Sequence, residues 1–176
     1  MTHTHEALYP AEFLADNIDI LPRGRALDIA MGSGRNAVYL AKLGFQVEGV
    51  DISQDAVDSA LGSAKKQRVT IQAEVADLER GYHIEKNTYD VILCFNYLQR
   101  SLIPEIKGGL RQGGMIVYET FIIDQAKLFG KPSNPDYLLK YNELLKIFRD
   151  FRCHRYREGI FPRSHRAIAS IIAEKV

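Results

Sequence analysis

The chain holds only two cysteines, Cys94 and Cys153, and they lie far apart in the sequence. That excludes a disulfide framework and a cysteine-based metal motif, and it suits a reducing compartment. Charge of one sign is missing as well: 23 basic against 22 acidic side chains leave a formal net charge of +1. No global field draws the protein to nucleic acid or to an anionic membrane, so any basic contact surface has to be local. There is no run of about 18 uninterrupted apolar residues, and Met1 to Glu6 is polar, without an apolar stretch of signal-peptide length. The expectation is a soluble, cytoplasmic protein with no membrane contact. With 176 residues, 46% of them hydrophobic and 26% charged, the chain is read as one ordinary globular domain with no second domain left for a substrate.

What is present is a regular alternation of short apolar runs and helical stretches, which points to an α/β fold. Residues 1–22 read as an N-terminal helical cap, with a loose helical spacing from Ala7 to Ile20 that Pro22 and Gly24 end. Strands are predicted at Arg25 to Ala30, Phe45 to Val50, Val69 to Val75, Tyr89 to Phe95 and Met115 to Ile123, the fourth as a continuous apolar run of the kind buried on both faces. Helices fall between them: Asn36 to Leu43 closed by Gly44, a second capped by Ser53 and running to about Lys65, and a third ending near Leu110. Residues 124–136, with Gly130, Pro132 and Pro135, read as an irregular insertion, and Tyr137 to Phe148 as an amphipathic helix. The last two strands, Phe151 to Ile160 and Arg166 to Ala173, are separated by a hairpin-length connection and are predicted to be antiparallel partners.

The stretch from Ala26 to Ala37 carries a strand into Gly32-Ser33-Gly34 and on into a helix. Glycines belong in such a turn because the chain reverses sharply while its backbone comes too close to a ligand for a Cβ. The run Gly32 to Ala37 also satisfies the dinucleotide pattern, and Asp51 follows Gly32 by 19 positions, where a ribose-binding acid belongs. A small NAD(P)-binding oxidoreductase of Rossmann type is therefore one reading. Three features weigh against it. Asp28, four residues before Gly32, aims a carboxylate at the loop, which suits a cation better than a pyrophosphate. The chain has almost no residues left for a separate substrate site, and the terminal hairpin is foreign to dinucleotide topology.

The residues from Asp28 to Gly34 resemble the first motif of the class I S-adenosylmethionine-dependent methyltransferases, and the runs Gly24 to Ala30 and Gly34 to Ala41 are similar to small tellurite-resistance-like members of that family. The resemblance covers roughly residues 20 to 176. It implies a doubly wound, seven-stranded, mostly parallel sheet of order 3-2-1-4-5-7-6 with the last strand antiparallel. It also implies S-adenosyl-L-methionine as cofactor, no metal, and cofactor contacts from Asp28, Ala30, Met31, Gly32, Ser33, Gly34, Asn36, Asp51, Ile52, Asp77, Leu78, Cys94 and Phe95. Asp51 would meet the ribose hydroxyls and Asp77-Leu78 the adenine. Met31 departs from the small residue usual before the first glycine and is expected to pack on the cofactor.

Asn96, Tyr97 and Glu119 are the catalytic candidates. Asn96 and Tyr97 follow the fourth strand, and Glu119 is a carboxylate in an otherwise apolar fifth strand, a candidate base or acceptor-holding group. Methyl transfer from a sulfonium is an in-line displacement, so positioning supplies most of what the protein must do. The acceptor is expected to be a small molecule, reached past Tyr9, Phe13 and the 124–136 insertion, by a monomer or homodimer. Six arginines between Arg149 and Arg166 make a local basic patch, read as protection of an edge strand in preference to a nucleic-acid contact. A non-catalytic cofactor-binding protein of the same fold is a further reading.

Overall fold

A computed structural model describes residues 9–176. The residues before Tyr9, which include the start of the expected N-terminal cap, lie outside the described part. The chain then runs through α1 (Glu12–Ala15), β1 (Arg25–Ile29), α2 (Arg35–Lys42), β2 (Gln46–Asp51), α3 (Gln54–Lys66), β3 (Gln72–Val75), β4 (Tyr89–Phe95), α4 (Ile103–Gly109), β5 (Leu110–Phe121), α5 (Asp124–Phe129), α6 (Glu143–Ile147), β6 (Arg152–Phe161) and β7 (Arg166–Glu174).

The seven strands form one sheet of order β3-β2-β1-β4-β5-β7-β6, as the family resemblance implied. Strands β1 to β5 run parallel to one another, and β7 is antiparallel to both β5 and β6. Strand β4 sits in the middle with every residue buried, which is why its sequence is continuously apolar instead of alternating. Its one acid, Asp90, is held by the Arg25 amide at 2.7 Å and by an ion pair with Arg111.

Two apolar layers cover the sheet. On one face Phe13 and Leu14 of α1, Leu40 of α2 and Val57 and Ala60 of α3 pack with Val47, Val91, Leu93 and Val117. On the other, Ile103 and Ile106 of α4 and Leu144 and Phe148 at α6 pack with Leu27, Ile29, Ile92 and Ile116. A fully buried Leu or Ile of this kind contributes about 1.5–3 kcal/mol through removal of its surface from water. Ser53 caps α3, its Oγ accepting from the Ala56 amide at 3.2 Å.

Two local expectations are corrected. Within residues 124–136 the first six form α5, closed by Gly130 in the left-handed region at φ +82°. The helix expected from Tyr137 to Phe148 is confined to Glu143–Ile147. Before it, Tyr137 ends a 3-10 turn, Leu138 is extended and Tyr141–Asn142 turn, because the backbone groups a helix would need are taken. The Leu139 amide donates to Phe121 O at 2.9 Å, and Ile123 donates to Leu139 O at 3.0 Å. Arg100 claims the carbonyls of Asp136 and Leu138 at 2.9 and 3.0 Å, and the Asn142 amide turns to the Glu158 carboxylate.

Candidate active site

The site is built where two neighbouring parallel strands stop. β1 ends into Ala30 at φ +52° and β4 into Asn96 at φ +56°. A non-glycine residue held there stores roughly 1–3 kcal/mol, so the surrounding packing must impose both reversals. Because the strand order runs outward in opposite directions from β1 and β4, the two turns leave a crevice between them, the usual ligand position of an open α/β sheet.

The glycine loop forms one wall. Gly32 and Gly34 both have positive φ, +57° and +80°. A Cβ on Gly34 would lie 2.6 Å from Ala60 Cβ, so the loop is pressed onto α3, whereas a Cβ on Gly32 would meet nothing within 4 Å. One side of the loop is thus packed and the other open. Asp51, at the end of β2, fastens the loop from the adjacent strand: its Oδ2 accepts from Gly32 N at 2.8 Å and its Oδ1 from Ser53 N at 3.0 Å.

Asp28 lies beneath this loop, 2% exposed, and its Oδ2 is a buried polar atom without a hydrogen-bond partner. Burial pushes its carboxyl up to about 7, offset in part by the Ala37 backbone and the Arg35 charge, while Asp51 adds to the rise. A buried carboxylate oxygen left without a donor is costly unless a positive or donating group meets it.

The other residues singled out in the sequence separate into those that face the crevice and those that support it. Ile52 follows Asp51 and is 67% exposed, an apolar side chain left uncovered beside the loop. Asp77 stands after β3, where its Oδ1 accepts from Glu79 N at 3.0 Å and its Oδ2 pairs with Arg80 at 3.2 Å. Ser33 is exposed at the loop tip. Leu78 is buried in the core layer against β1 and β4.

Met31, expected to pack on a cofactor, turns into the core against Gly49, whose added Cβ would fall 2.1 Å from Met31 Sδ. Asn36 spends its amide oxygen on Ala11 N at 2.8 Å, tying the N-terminal segment to α2. Cys94 is buried with its thiol pushed up to about 12 by desolvation, and its Sγ donates to Tyr97 O. Phe95 packs among the α2 and α3 layer.

On the β5 side a cleft of about 290 Å³ is lined by Asn96, Tyr97, Leu98, Phe121, Pro132 and Tyr137, together with Glu79. The Tyr97 hydroxyl donates to Gln99 Oε1 at 2.7 Å and is pushed up to about 12 by burial, so it stays a neutral phenol at ordinary pH. A larger hollow, about 530 Å³, opens at the far ends of β1 and β2 beside Arg25, Gln46 and Glu48. The one orphaned buried side-chain atom among the described residues is at the glycine loop instead, and chemistry outranks volume in placing the site.

Glu119 is not a free base. It is 1% exposed, its Oε1 accepts from Arg166 at 3.0 Å, and its Oε2 accepts from Arg157 at 3.2 Å and Ser170 Oγ at 2.7 Å. Arg166 also donates to Asn96 Oδ1. Two arginines of the basic patch therefore turn inward to the end of β5. Arg100 escaped the sequence reading altogether: it bonds the Glu143 carboxylate at 2.7 and 3.1 Å as well as the two carbonyls above, fixing the segment that carries Tyr137. Its partners lie 36 to 43 positions away, so no local spacing signals it.

Residues 26–114 match the methyltransferase-domain family. The chain belongs to that family. Its cofactor is S-adenosylmethionine, and the open side of the glycine loop, the unpartnered Asp28 Oδ2, Asp51 at the end of β2 and Asp77 after β3 fit a ligand bearing an ammonium, a sulfonium and a ribose. Among curated relatives, hemagglutinin 1 of Eikenella corrodens is 27% identical over 169 residues, 91% of this chain and 52% of the relative. The probable S-adenosyl-L-methionine-dependent methyltransferase TehB of Haemophilus influenzae is 23% identical over 84% of this chain and 52% of its own length. The ubiquinone biosynthesis O-methyltransferase of Burkholderia ambifaria is 31% identical over 54% of this chain and 44% of its own. The chain thus spans about half the length of the curated relatives it matches. In structure it is similar to TehB from Haemophilus influenzae, with a TM-score of 0.78, 22% identity and coverage of 93% of this chain and 61% of that one. A SAM-dependent methyltransferase from Aquifex aeolicus gives 0.67 at 19% identity, over 97% and 92% of the two chains. These likenesses are of fold. No helix among the described residues is long and apolar enough to cross a membrane.

Proposed function

We propose that this chain is a methyltransferase that takes the methyl group of S-adenosylmethionine to a small acceptor seated in the cleft beside Asn96 and Tyr97. The observation that carries the reading is the orphaned Asp28 oxygen under a glycine loop whose outer side is open. A nicotinamide dinucleotide would bring its pyrophosphate toward that buried carboxylate, like charge against like. A cationic amino-acid end brings the opposite sign.

When bound, the cofactor supplies an electrophilic methyl on a sulfonium and leaves as a neutral thioether. The rest is done by the chain's own residues. Asp28 and the backbone of the loop receive the amino-acid end, Asp51 the ribose hydroxyls, and Asp77 with the exposed Ile52 the adenine. Asn96 and Tyr97 border the cleft where the acceptor's nucleophilic atom comes to rest, and the aromatic walls keep water from competing. Such positioning is worth roughly 7–11 kcal/mol of a displacement barrier, without any covalent role for the protein. Glu119 serves by holding Arg166 and Arg157, not by moving a proton.

Calorimetric titration with S-adenosylhomocysteine and, separately, NADH tests the reading. Saturable binding of the first and none of the second is expected, and the reverse would overturn it. Transfer of labelled methyl to a panel of small acceptors then separates an enzyme from a cofactor-binding protein.

A further inference from the structure

We propose that the acceptor is a small organic anion with a flat apolar body, its charge met by Arg166 and its body held between Tyr97, Phe121 and Tyr137. This rests on the methyltransferase reading and names the substrate class for the same site. The walls come first: apart from Asn96 and Glu79, the residues lining the roughly 290 Å³ cleft are Tyr97, Leu98, Phe121, Pro132 and Tyr137, and Tyr137 is 49% exposed for want of a covering partner. That volume lies at the small end of ligand sites, about the size for a single ring and its substituents. Flat aromatic walls favour a flat ligand.

The charge comes from the end of β5. Around Glu119 there are two guanidiniums to one carboxylate, a local excess of one positive charge. Ser170 and Asn96, the other partners in that cluster, are neutral. Arg166 stands directly behind the cleft wall: its guanidinium lies 5.2 Å from the centre of the Phe121 ring and donates to Asn96, and both of these residues line the cleft. With one bond to Glu119 and one to Asn96, it keeps N–H donors to spare on a side chain that is 26% exposed. Glu79, the one acid among the described residues lining the cleft, enters from the turn after β3, on the other side of β4 from β7. Because neither oxygen of Glu119 is free and the Tyr97 hydroxyl is a donor to Gln99, an acceptor that arrives already ionised suits the site.

The test uses the full chain saturated with S-adenosylhomocysteine and three probes read by calorimetry: benzoate, its neutral counterpart benzamide, and inorganic phosphate. Benzoate is expected to bind saturably, and benzamide and phosphate at least about tenfold more weakly, since a charge-assisted bond is worth about a factor of ten or more. Benzamide binding as well as benzoate overturns the assignment of charge, and phosphate matching benzoate overturns the flat body. Arg166→Gln is expected to weaken benzoate about tenfold or more while the S-adenosylhomocysteine affinity holds; unchanged benzoate affinity sinks the role of Arg166. Should that variant lose its circular dichroism, Tyr137→Ala, at an exposed position, is the second probe and is expected to weaken benzoate with the fold intact. Failure of S-adenosylhomocysteine itself to bind is a failure of the methyltransferase reading, and is seen before any probe is added.

Discussion

Glu119, within β5, accepts a hydrogen bond from Arg166, the first residue of β7, at 3.0 Å, and the same arginine reaches Asn96 at the end of β4. Three strand ends that are far apart in sequence are thereby locked at the mouth of the cleft. Glu119→Gln keeps the shape of this arrangement and removes its charge. It is expected to lower stability by about 1.5–3 kcal/mol, the worth of a hydrogen bond to a charged group, seen as a lower denaturant midpoint with an unchanged slope. A midpoint within error of the parent's would show the network to be weak.

Asp28 gives a pH signature of definite sign. Its carboxyl is raised by burial from an ordinary value near 3.8 to about 7, so between those values the folded state binds more protons than the unfolded one. Stability of the cofactor-free protein should therefore fall as pH rises from about 4 to about 7, and level off above. Asp28→Asn removes the charge and should melt higher than the parent at pH 8, with the difference shrinking toward pH 4. Equal melting temperatures at pH 8 would refute the buried, unpaired acid.

The same group couples to the cofactor. A ligand ammonium is best met by the ionised carboxylate, so affinity for S-adenosylhomocysteine should rise as pH passes up through about 7, with proton release on binding below it. Asp28→Asn should bind more weakly and without that pH dependence. Calorimetry in buffers of differing ionisation enthalpy reads the released proton directly.

At the loop, Gly34→Asp forces a side chain into 2.6 Å contact with Ala60 from a left-handed backbone, and Asp51→Ala removes the acceptor of the Gly32 amide. Both are expected to abolish detectable S-adenosylhomocysteine binding. Retained affinity in both variants would displace the cofactor from this loop.

Arg100→Ala should act locally. The segment from Asp136 to Glu143 loses its bonds to the Arg100 side chain but keeps the two backbone bonds of Leu139. Faster amide exchange at Leu138 to Glu143 is expected, with little change in the global midpoint, because such openings are sub-global. Uniform acceleration across the sheet would contradict that.

The order of the strands is non-local and was implied only by the family resemblance. The strands and the glycine loop were legible because their signals are local: buried parallel strands are written as apolar runs, and the turn needs glycine at Gly32 and Gly34. Asp28, Asp51 and Asp77 could be placed for the same reason, each sitting at or beside the end of a strand. The side-chain contacts of Met31 and Asn36 were not legible. Both lie next to the loop in sequence, yet the Met31 side chain fills the space that Gly49 leaves and the Asn36 amide holds Ala11. The helix expected from Tyr137 had the right periodicity, but contacts to Phe121, Arg100 and Glu158 took its backbone groups.

By itself, then, the sequence determined the strands and the position of the glycine loop, since these rest on periodicity and turn chemistry within a few residues, while the order of the strands was implied by the family resemblance. Only the tertiary structure decided which charges are free. Glu119 in β5 and Arg157 and Arg166 at the terminal hairpin are 38 and 47 positions apart, and nothing short of the β5–β7 pairing brings them together. That pairing turns a candidate base into a counter-ion, and turns two arginines of an apparently solvated patch inward to it.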